Sequence, residues 1–167
     1  MEQAVKKAMR RRAPLHVLVY LYRIRADTDL EVALFRRVHG GYWQGIAGGG
    51  DEGETPEDAG RRETLEEAGI EPAGRWIALK PILSVPVNVI RPDLRRHWPG
   101  WLTTIPCYPF AVEAPGHPIR LSAEHAGFRW VRPDEARELV HWDNDRVALA
   151  ALEAVVRPIG KPMSVES

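Results

Sequence analysis

The sequence lacks the cysteine pairs, excess charge and long apolar runs that mark several specialised classes of protein. Cys107 is the single cysteine among 167 residues, so an internal disulfide is excluded and nothing indicates an oxidising compartment. The 23 basic and 23 acidic residues cancel in formal charge, which argues against binding of nucleic-acid polymers through bulk charge. No apolar run approaches the length of a transmembrane helix. A small anionic ligand stays compatible with this composition, because local charge is enough to bind it.

An apolar run near the N-terminus follows several basic residues, as it does in export signals. The run over 15–21 contains His16 and Tyr20 and has no small-residue cleavage site, so we expect a cytoplasmic protein without membrane association. Cys107 lies in another apolar stretch, where we expect a buried structural thiol rather than a nucleophile.

The length of the chain suits one domain with one core. We expect this domain over 13–157, preceded by an N-terminal arm over 1–12 and followed by a flexible C-terminal tail over 158–167. Composition and length leave open whether the protein is a monomer or a homodimer.

Apolar and alternating patterns predict strands on both sides of one early helix. Residues 15–23 and 31–38 flank a turn and predict a β-hairpin. Further expected elements are a loop over 40–43, two or three strands between 76 and 112, a long loop over 86–100, a last strand over 128–131, and helices over 133–140 and 143–156. This order of strands and helices indicates an α/β (α+β) sandwich.

The early helix has clear signals at both ends. Thr55 is a good N-cap, Pro56 suits the first helical position, and the acidic residues that follow favour the positive end of the helix dipole. We expect the helix to end at about Ala68, because Gly69 is typical of a helix C-terminus.

Three glutamates share one face of this helix. Glu63, Glu66 and Glu67 are spaced i, i+3 and i+4, so their carboxylates lie close together and repel one another. A hard divalent cation offsets such repulsion, and Mg²⁺ commonly binds carboxylates together with substrate phosphates. Ala59 and Gly60 lie near the same face by helical phase, and we expect them to leave room above it.

A solvated helix face is the alternative interpretation, with Arg61 and Arg62 as ion-pair partners of the glutamates. Helix geometry alone favours this alternative, because glutamate is a common residue on exposed helix surfaces. The surrounding sequence shifts the balance toward a functional site.

The string over 48–70, GGGDEGETPEDAGRRETLEEAGI, resembles the sequence box of the Nudix hydrolase family. That box consists of Gly, five residues, Glu, seven residues, Arg-Glu, an apolar residue, any residue, Glu-Glu, any residue, Gly and an apolar residue. The chain supplies its fixed positions with Gly48, Glu54, Arg62, Glu63, Glu66, Glu67, Gly69 and Ile70. Thr64 departs from the pattern at the first apolar position, where we expect it to pack rather than react.

The resemblance implies a Nudix-type α/β/α sandwich, with a mixed β-sheet and a catalytic helix that follows the glycine loop. In the family, residues that match Glu63, Glu66 and Glu67 hold divalent ions, often with the backbone carbonyl of the residue that matches Gly48. The expected cofactor is therefore Mg²⁺, with Mn²⁺ as a substitute. Residues that match Glu54 and Arg62 tie the loop to the helix, and groups behind metal ligands commonly have this orienting role.

Outside the box, the pieces that matter are 14–20, Arg36-Arg37 with Trp43, Glu124-His125 with 128–130, and Trp142 with 144–146. Through them most of 14–152 resembles, more loosely, the dihydroneopterin triphosphate and dNTP pyrophosphohydrolases of the family. In these relatives an acidic residue from a late loop completes the site. The resemblance implies Glu124 in this role, as a further ligand or general base beside the catalytic Glu63 and Glu67. An exposed loop acid is the alternative for Glu124, and for His125 we expect a structural hydrogen bond rather than contact with substrate.

Recognition of the substrate needs cations for phosphate and flat rings for a base. The candidate substrate-binding residues are Arg36, Arg37, Arg95 and Arg96 for phosphate, and Trp43, Trp98, Trp101 and Phe128 for stacking. Trp43 is the favoured stacking residue because it directly precedes the glycine loop. For Trp101 and Trp130 we prefer packing in the core.

We therefore expect a magnesium-dependent enzyme that cleaves a nucleoside or pterin triphosphate into a monophosphate and pyrophosphate. One of the box glutamates or Glu124 would take the proton of the attacking water. Hydrolysis of ADP-ribose, another ADP-sugar or a dinucleoside polyphosphate is the alternative activity. A catalytically silent nucleotide-binding regulator is a third hypothesis, although such a protein would be expected to have lost acids of the box.

Overall fold

The structure is a computed structural model that describes residues 10–26, 29–114 and 116–156. Most of the arm expected over 1–12 and the whole tail expected over 158–167 therefore lie outside the described residues. The one-domain boundaries proposed from the sequence stay a prediction.

Within the described ranges the chain forms eight strands, four α-helices and one short 3-10 helix. The strands are β1 (Arg12–Arg25), β2 (Asp29–Arg37), β3 (Trp43–Gln44), β4 (Ile46–Asp51), β5 (Trp76–Ala78), β6 (Leu83–Pro86), β7 (Thr104–Glu113) and β8 (His125–Val131). The α-helices are α1 (Pro56–Ala68), α2 (Pro92–Arg95), α3 (Pro133–Leu139) and α4 (Asp143–Val155), and the 3-10 helix is Val87–Val89.

All eight strands belong to one mixed sheet. Its central path runs in the order β3-β2-β1-β7-β5, and β4, β6 and β8 pair with β1, β7 and β2. The long strand β1 pairs antiparallel with β2 near its C-terminal end and with β4 near its N-terminal end. Strands β1 and β7 are parallel, while the other pairs are antiparallel. The predicted hairpin and the predicted mixed α+β class are confirmed.

Alternate residues of β1 face opposite sides of the sheet, as the period of a strand requires. Val17 and Val19 belong to a core cluster that includes Ala59 of α1. Leu18 and Tyr20 belong to a second cluster, on the other face, with Ala136 of α3 and with Ala148, Leu149 and Leu152 of α4. The sheet is therefore a middle layer with α1 on one face and α3 and α4 on the other, and both faces of β1 are buried.

The segment predicted as a loop over 86–100 contains the 3-10 helix and α2, so this prediction was wrong in part. Pro92 occupies the first turn of α2, where its missing N–H costs nothing. Trp98 then packs with Val87 and Ile105 in a small third cluster. These contacts hold the segment against the sheet, and several of its residues line the cavity described below.

Two further expectations need correction. The last strand begins at His125 rather than residue 128, because its antiparallel pairing with β2 continues through an irregularity at Arg36 and Arg37. Trp101 is not in the core, since 78% of it is exposed. Trp130 does pack partly against the core, and the guanidinium carbon of Arg23 lies 4.3 Å from its ring centre. No helix in the described part of the chain is long and apolar enough to span a membrane.

Candidate active site

Both ends of α1 are fixed by the residues predicted to fix them. Thr55 Oγ1 accepts a hydrogen bond from the Asp58 amide at 3.1 Å, and the Asp58 carboxylate accepts one from the Thr55 amide at 3.4 Å. Gly69 closes the other end in a left-handed conformation, with φ of 67°, which glycine adopts without strain. Capping at both ends holds the helix, and therefore its glutamates, in one position over the sheet.

The glutamate face of α1 turns toward the sheet rather than toward solvent. Glu63 and Glu67 are 4% and 2% exposed, whereas the third glutamate, Glu66, is exposed to solvent. Thr64 is also buried, and its hydroxyl donates to the Gly60 carbonyl at 2.8 Å, so it packs as expected. A fully solvated face, the alternative drawn from the sequence, is therefore excluded for Glu63 and Glu67.

Ala59 and Gly60 do not leave open space above the acids, contrary to expectation. Ala59 is fully buried, and a Cβ added at Gly60 would lie 3.3 Å from side-chain atoms of both Trp76 and Val19. The two small residues instead let the helix approach the sheet closely. This close approach brings the carboxylates of the next turn against β4.

Gly48 of β4 and Glu63 of α1 are in direct contact. A Cβ added at Gly48 would lie 2.2 Å from Cδ of Glu63, closer than real Cβ atoms approach other atoms. The Glu63 carboxylate therefore occupies the space that any other side chain at position 48 would fill. This contact places an acidic group beside the backbone of the glycine loop.

Arg62 connects the glycine loop to the helix. Its Nε and Nη2 donate to the two carboxylate oxygens of Glu54 at 2.8 and 2.9 Å. Nη2 also donates to the Gly49 carbonyl at 2.9 Å, and Nη1 donates to Glu63 Oε1 at 2.9 Å. Burial raises the pKa of Glu54, but its hydrogen bonds, chiefly those from Arg62, outweigh burial and lower the pKa below its ordinary value.

Glu67 is a carboxylic acid of the site whose surroundings disfavour ionisation. Burial raises its pKa well above the ordinary value, and the nearby charges of Glu63 and Glu124 raise it further. Its Oε2 has no hydrogen-bond partner among the described residues and lies 3.9 Å from Nε2 of His125. A buried carboxylate with one unpaired oxygen, beside other carboxylates, fits a site for a hard cation, because such ions prefer oxygen ligands.

The acids do not surround a common centre in the present side-chain arrangement. Across 10–26, 29–114 and 116–156, no three His, Cys, Asp or Glu side chains are grouped closely enough to hold an ion. Arg62 Nη1 lies 2.9 Å from Glu63 Oε1 and 3.5 Å from Glu66 Oε2, so the guanidinium lies between these two glutamates. Binding of an ion by all three glutamates therefore requires a different arrangement of the Arg62 and glutamate side chains.

Glu124 lies at the edge of the same acidic group. Its Oε2 accepts a hydrogen bond from Arg37 Nη1 at 3.2 Å, and its charge contributes to the raised pKa of Glu67. The next residue, His125, is buried, and neither ring nitrogen has a hydrogen-bond partner in the described ranges. The structural hydrogen bond expected for His125 is therefore not formed there, and burial lowers the pKa of the imidazole, with a further contribution from Arg37.

A cavity of about 600 Å³ opens beside the glycine loop. Strands β1, β4, β6 and β7, the segment that contains α2, and the start of α4 all contribute to its walls. Gly48 and Arg37 line this cavity, whereas Arg36, Trp43, Arg95, Arg96 and Phe128 do not. Arg95 instead donates from Nε to the Ile90 carbonyl at 2.8 Å.

Several residues that line the cavity had no predicted site role, namely the aromatic Tyr42 and Trp142 and the polar Asn144 and Asp145. Trp98, a predicted stacking candidate, also lines it. Asp145 accepts hydrogen bonds from the Tyr20 hydroxyl and, at 2.9 Å, from the Gly45 amide. These residues come from distant parts of the chain, so sequence patterns could not group them into one site. The polar residues at the start of α4 were the local feature that could have indicated a functional role.

Comparison with known proteins identifies the family. The NUDIX domain matches residues 14–152. The chain is 29% identical over 133 residues to the dihydroneopterin triphosphate diphosphatase of Escherichia coli K12, covering 78% of this chain and 87% of that protein. It is 32% identical over 124 residues to the asymmetrical bis(5′-nucleosyl)-tetraphosphatase of Rattus norvegicus, covering 74% and 78% of the two chains.

A solved structure agrees with these sequence matches. A NUDIX hydrolase of Listeria monocytogenes superposes with a TM-score of 0.71 at 26% identity, covering 85% of this chain and 93% of that one. The chain therefore belongs to the Nudix hydrolase family, as the box over 48–70 predicted. It is a hydrolase that acts on phosphoanhydride bonds, which confirms the predicted enzyme class.

Proposed function

We propose that the protein is a magnesium-dependent pyrophosphohydrolase that converts a nucleoside or pterin triphosphate into a monophosphate and pyrophosphate. Family membership fixes the class of bond that is cleaved, and Nudix hydrolases generally use divalent metals. The choice of substrate rests on similarity to the E. coli protein named for dihydroneopterin triphosphate. We further propose that the enzyme acts in the cytoplasm on a small-molecule substrate.

One observation carries the cofactor part of the proposal. The buried Oε2 of Glu67 has no hydrogen-bond partner within the described residues, although it lies in an acidic group with Glu63 and Glu124. Leaving such a group unpaired is costly in a site from which water is largely excluded. A divalent cation removes that cost, and Mg²⁺ suits a donor set made only of oxygen atoms.

Glu63, Glu66 and Glu67 would hold the ion, together with the carbonyl of Gly48. When bound, a divalent ion neutralises phosphate oxygens and lowers the pKa of an attacking water. Arg62 holds the Glu63 carboxylate against Gly48, and Glu54 holds Arg62, so the loop and the helix keep one relative position.

The proton of the attacking water would pass to a carboxylate of the same group. Glu67 and Glu124 are both candidates, because Glu67 is buried with a raised pKa and Glu124 lies at the more exposed edge. Arg37 donates to Glu124 and lines the cavity, so it is positioned to hold that carboxylate and to approach a bound anion.

A screen of substrates tests the proposal directly. The purified protein would be incubated with Mg²⁺ and each of the dNTPs, dihydroneopterin triphosphate, ADP-ribose and diadenosine tetraphosphate, and the products would be separated. We expect pyrophosphate and a monophosphate from at least one triphosphate. Release of AMP from ADP-ribose, with no cleavage of any triphosphate, would show that the proposed substrate class is wrong.

A second substrate class is favoured by the relative from Rattus norvegicus. That protein is named as a bis(5′-nucleosyl)-tetraphosphatase and is slightly more identical to this chain than the E. coli protein is. Because that relative is named as asymmetrical, we would expect the same unequal cleavage here, with ATP and AMP formed from diadenosine tetraphosphate. A higher kcat/KM for diadenosine tetraphosphate than for every triphosphate would favour this class.

A further inference from the structure

The positively charged guanidinium of Arg12, at the start of β1, lies against the glycine loop. A Cβ added at Gly49 would lie 2.4 Å from Arg12 Nη1 and 2.6 Å from its Cδ, so the side chain lies directly against this glycine. Gly48, the next residue, contacts the Glu63 carboxylate on its own side of the strand. Consecutive residues of a strand face opposite sides, so Arg12 lies across β4 from Glu63, and both Arg12 and Gly49 line the cavity.

The main chain of Arg12 is held by the segment between β6 and β7. Its carbonyl accepts hydrogen bonds from Nε2 of His97 and Nε1 of Trp98, both at 2.8 Å. These bonds join residues that are 85 and 86 positions apart in the chain. They do not use the side chain, so a substitution of Arg12 leaves them available to hold the strand in place.

The guanidinium itself is incompletely paired. Nη1 of Arg12 is buried and has no hydrogen-bond partner in the part of the chain that the structure describes. A buried guanidinium N–H without an acceptor is costly, and the groups that best satisfy it are carboxylate and phosphate oxygens. His16, which also lines the cavity, does not accept a hydrogen bond from Nη1 of Arg12.

We propose that Arg12 binds a non-bridging oxygen of the substrate's phosphate chain, on the cavity side of Gly49. This inference rests on the proposed function, because that function supplies a substrate with at least three phosphates. Gly49 has no side chain, so the phosphate chain and the guanidinium meet above its Cα. Arg12 is thus a substrate-binding residue for the part of the phosphate chain that lies in the cavity beside Gly49.

Binding of inorganic tripolyphosphate tests this role without requiring turnover. Isothermal titration calorimetry in the presence of Mg²⁺ would compare the wild type with Arg12→Gln and with the control Arg11→Gln, which removes an exposed arginine one position away. We expect Arg12→Gln to weaken binding about tenfold or more, as loss of a charge-assisted hydrogen bond does, and Arg11→Gln to stay within about twofold. Thermal unfolding of each variant checks the fold.

A second variant changes the contact between Arg12 and Gly49 at the glycine. Gly49→Ala pushes against the flexible end of Arg12 rather than against backbone, so the fold is expected to tolerate it. We expect it to weaken tripolyphosphate binding too, and we expect the double variant to bind no worse than Arg12→Gln alone. Additive losses would mean that Gly49 acts without Arg12.

The two proposals fail in different ways. Wild-type and Arg12→Gln proteins that bind tripolyphosphate equally would overturn the role of Arg12, whether or not a triphosphate is hydrolysed. An equal loss in Arg11→Gln would also overturn it, because bulk charge would then explain the effect. A wild type that binds tripolyphosphate through Arg12 but cleaves no triphosphate would refute only the proposed function.

Discussion

Arg62 donates to both carboxylate oxygens of Glu54, at 2.8 and 2.9 Å, across the junction between the glycine loop and α1. Glu54 Oε1 also accepts from the Asp51 amide at 2.7 Å, so one carboxylate joins the loop backbone to the helix. The pair is only slightly exposed, and the geometry is bidentate. These features distinguish it from the many exposed ion pairs of the chain.

Substitution of Arg62 by Ala should therefore destabilise the protein. It removes the hydrogen bonds to Glu54 and to the Gly49 carbonyl in a largely buried position, and we expect a loss of about 2–3 kcal/mol in the free energy of unfolding. Arg91 and Asp93 form a similar bidentate pair on the surface, so Arg91→Ala is the matched control. We expect that control to cost less than about 1 kcal/mol by urea denaturation. Equal losses would contradict a special role for Arg62.

Gly48 should not tolerate even a methyl group without loss of activity. In Gly48→Ala the new Cβ would collide with the Glu63 carboxylate and move it from its place beside β4. We expect kcat to fall about 10- to 100-fold while the circular dichroism spectrum is retained. Gly127→Ala on β8 is the control, because a Cβ there meets no atom of the described residues within 4 Å. Full activity in Gly48→Ala would show that the position of Glu63 is not critical.

His16 should make stability depend on pH. Burial, assisted by the charge of Arg12, lowers its pKa from 6.5 to about 4, so the unfolded chain binds more protons than the folded chain between these values. The contribution of His16 is complete above about pH 6.5 and decreases as the pH falls toward 4, by at most about 3 kcal/mol. Urea denaturation at pH 7 and pH 5 measures the change.

A variant isolates this contribution from those of other groups. His16→Gln should lose less stability than the wild type between pH 7 and pH 5, because glutamine does not titrate. His39→Gln, which replaces an exposed histidine, controls for the removal of one imidazole. An identical pH dependence in the wild type and His16→Gln would contradict the depressed pKa of His16.

Cys107 should be unreactive in the folded protein. It is 1% exposed, and burial raises the pKa of its thiol to about 12, so the reactive thiolate is scarce at neutral pH. We expect iodoacetamide at pH 8 to leave the native protein unlabelled by mass spectrometry and to label it fully in urea. Rapid labelling of the native protein would show that the thiol is accessible and ionised.

The local parts of the site were predictable, because they depend on neighbours in sequence. Thr55, Pro56 and Gly69 fixed the limits of α1, and the spacing of its glutamates placed them on one face. What that face meets was not predictable. Gly60 was expected to leave room above the acids, but it lies close to Trp76 and Val19 of the sheet. Sequence periodicity gives the face of a helix but not the shape of what covers it.

The cavity could not be predicted, because distant segments build it. Arg12 looked like the end of a polar arm, and its approach to Gly49 depends on the irregular pairing of β1 with β4. Core packing was predicted for Trp101 and stacking for Trp98, yet Trp98 packs in a cluster and Trp101 is exposed. These outcomes depend on the fold of the segment between β6 and β7, for which the prolines and arginines indicated only a loop.

The proposed metal site is tested most directly with protein that has been stripped of metal with EDTA. Calorimetry measures the binding of Mg²⁺, and release of pyrophosphate from the best triphosphate measures turnover. We predict that the wild type and the exposed control Glu57→Gln bind the ion and need it for turnover. Glu67→Gln should remain folded, bind Mg²⁺ more weakly and lose at least about 100-fold in kcat. Full turnover in EDTA, or unchanged Mg²⁺ binding and activity in Glu67→Gln, would contradict the claim that these buried acids hold the catalytic cation.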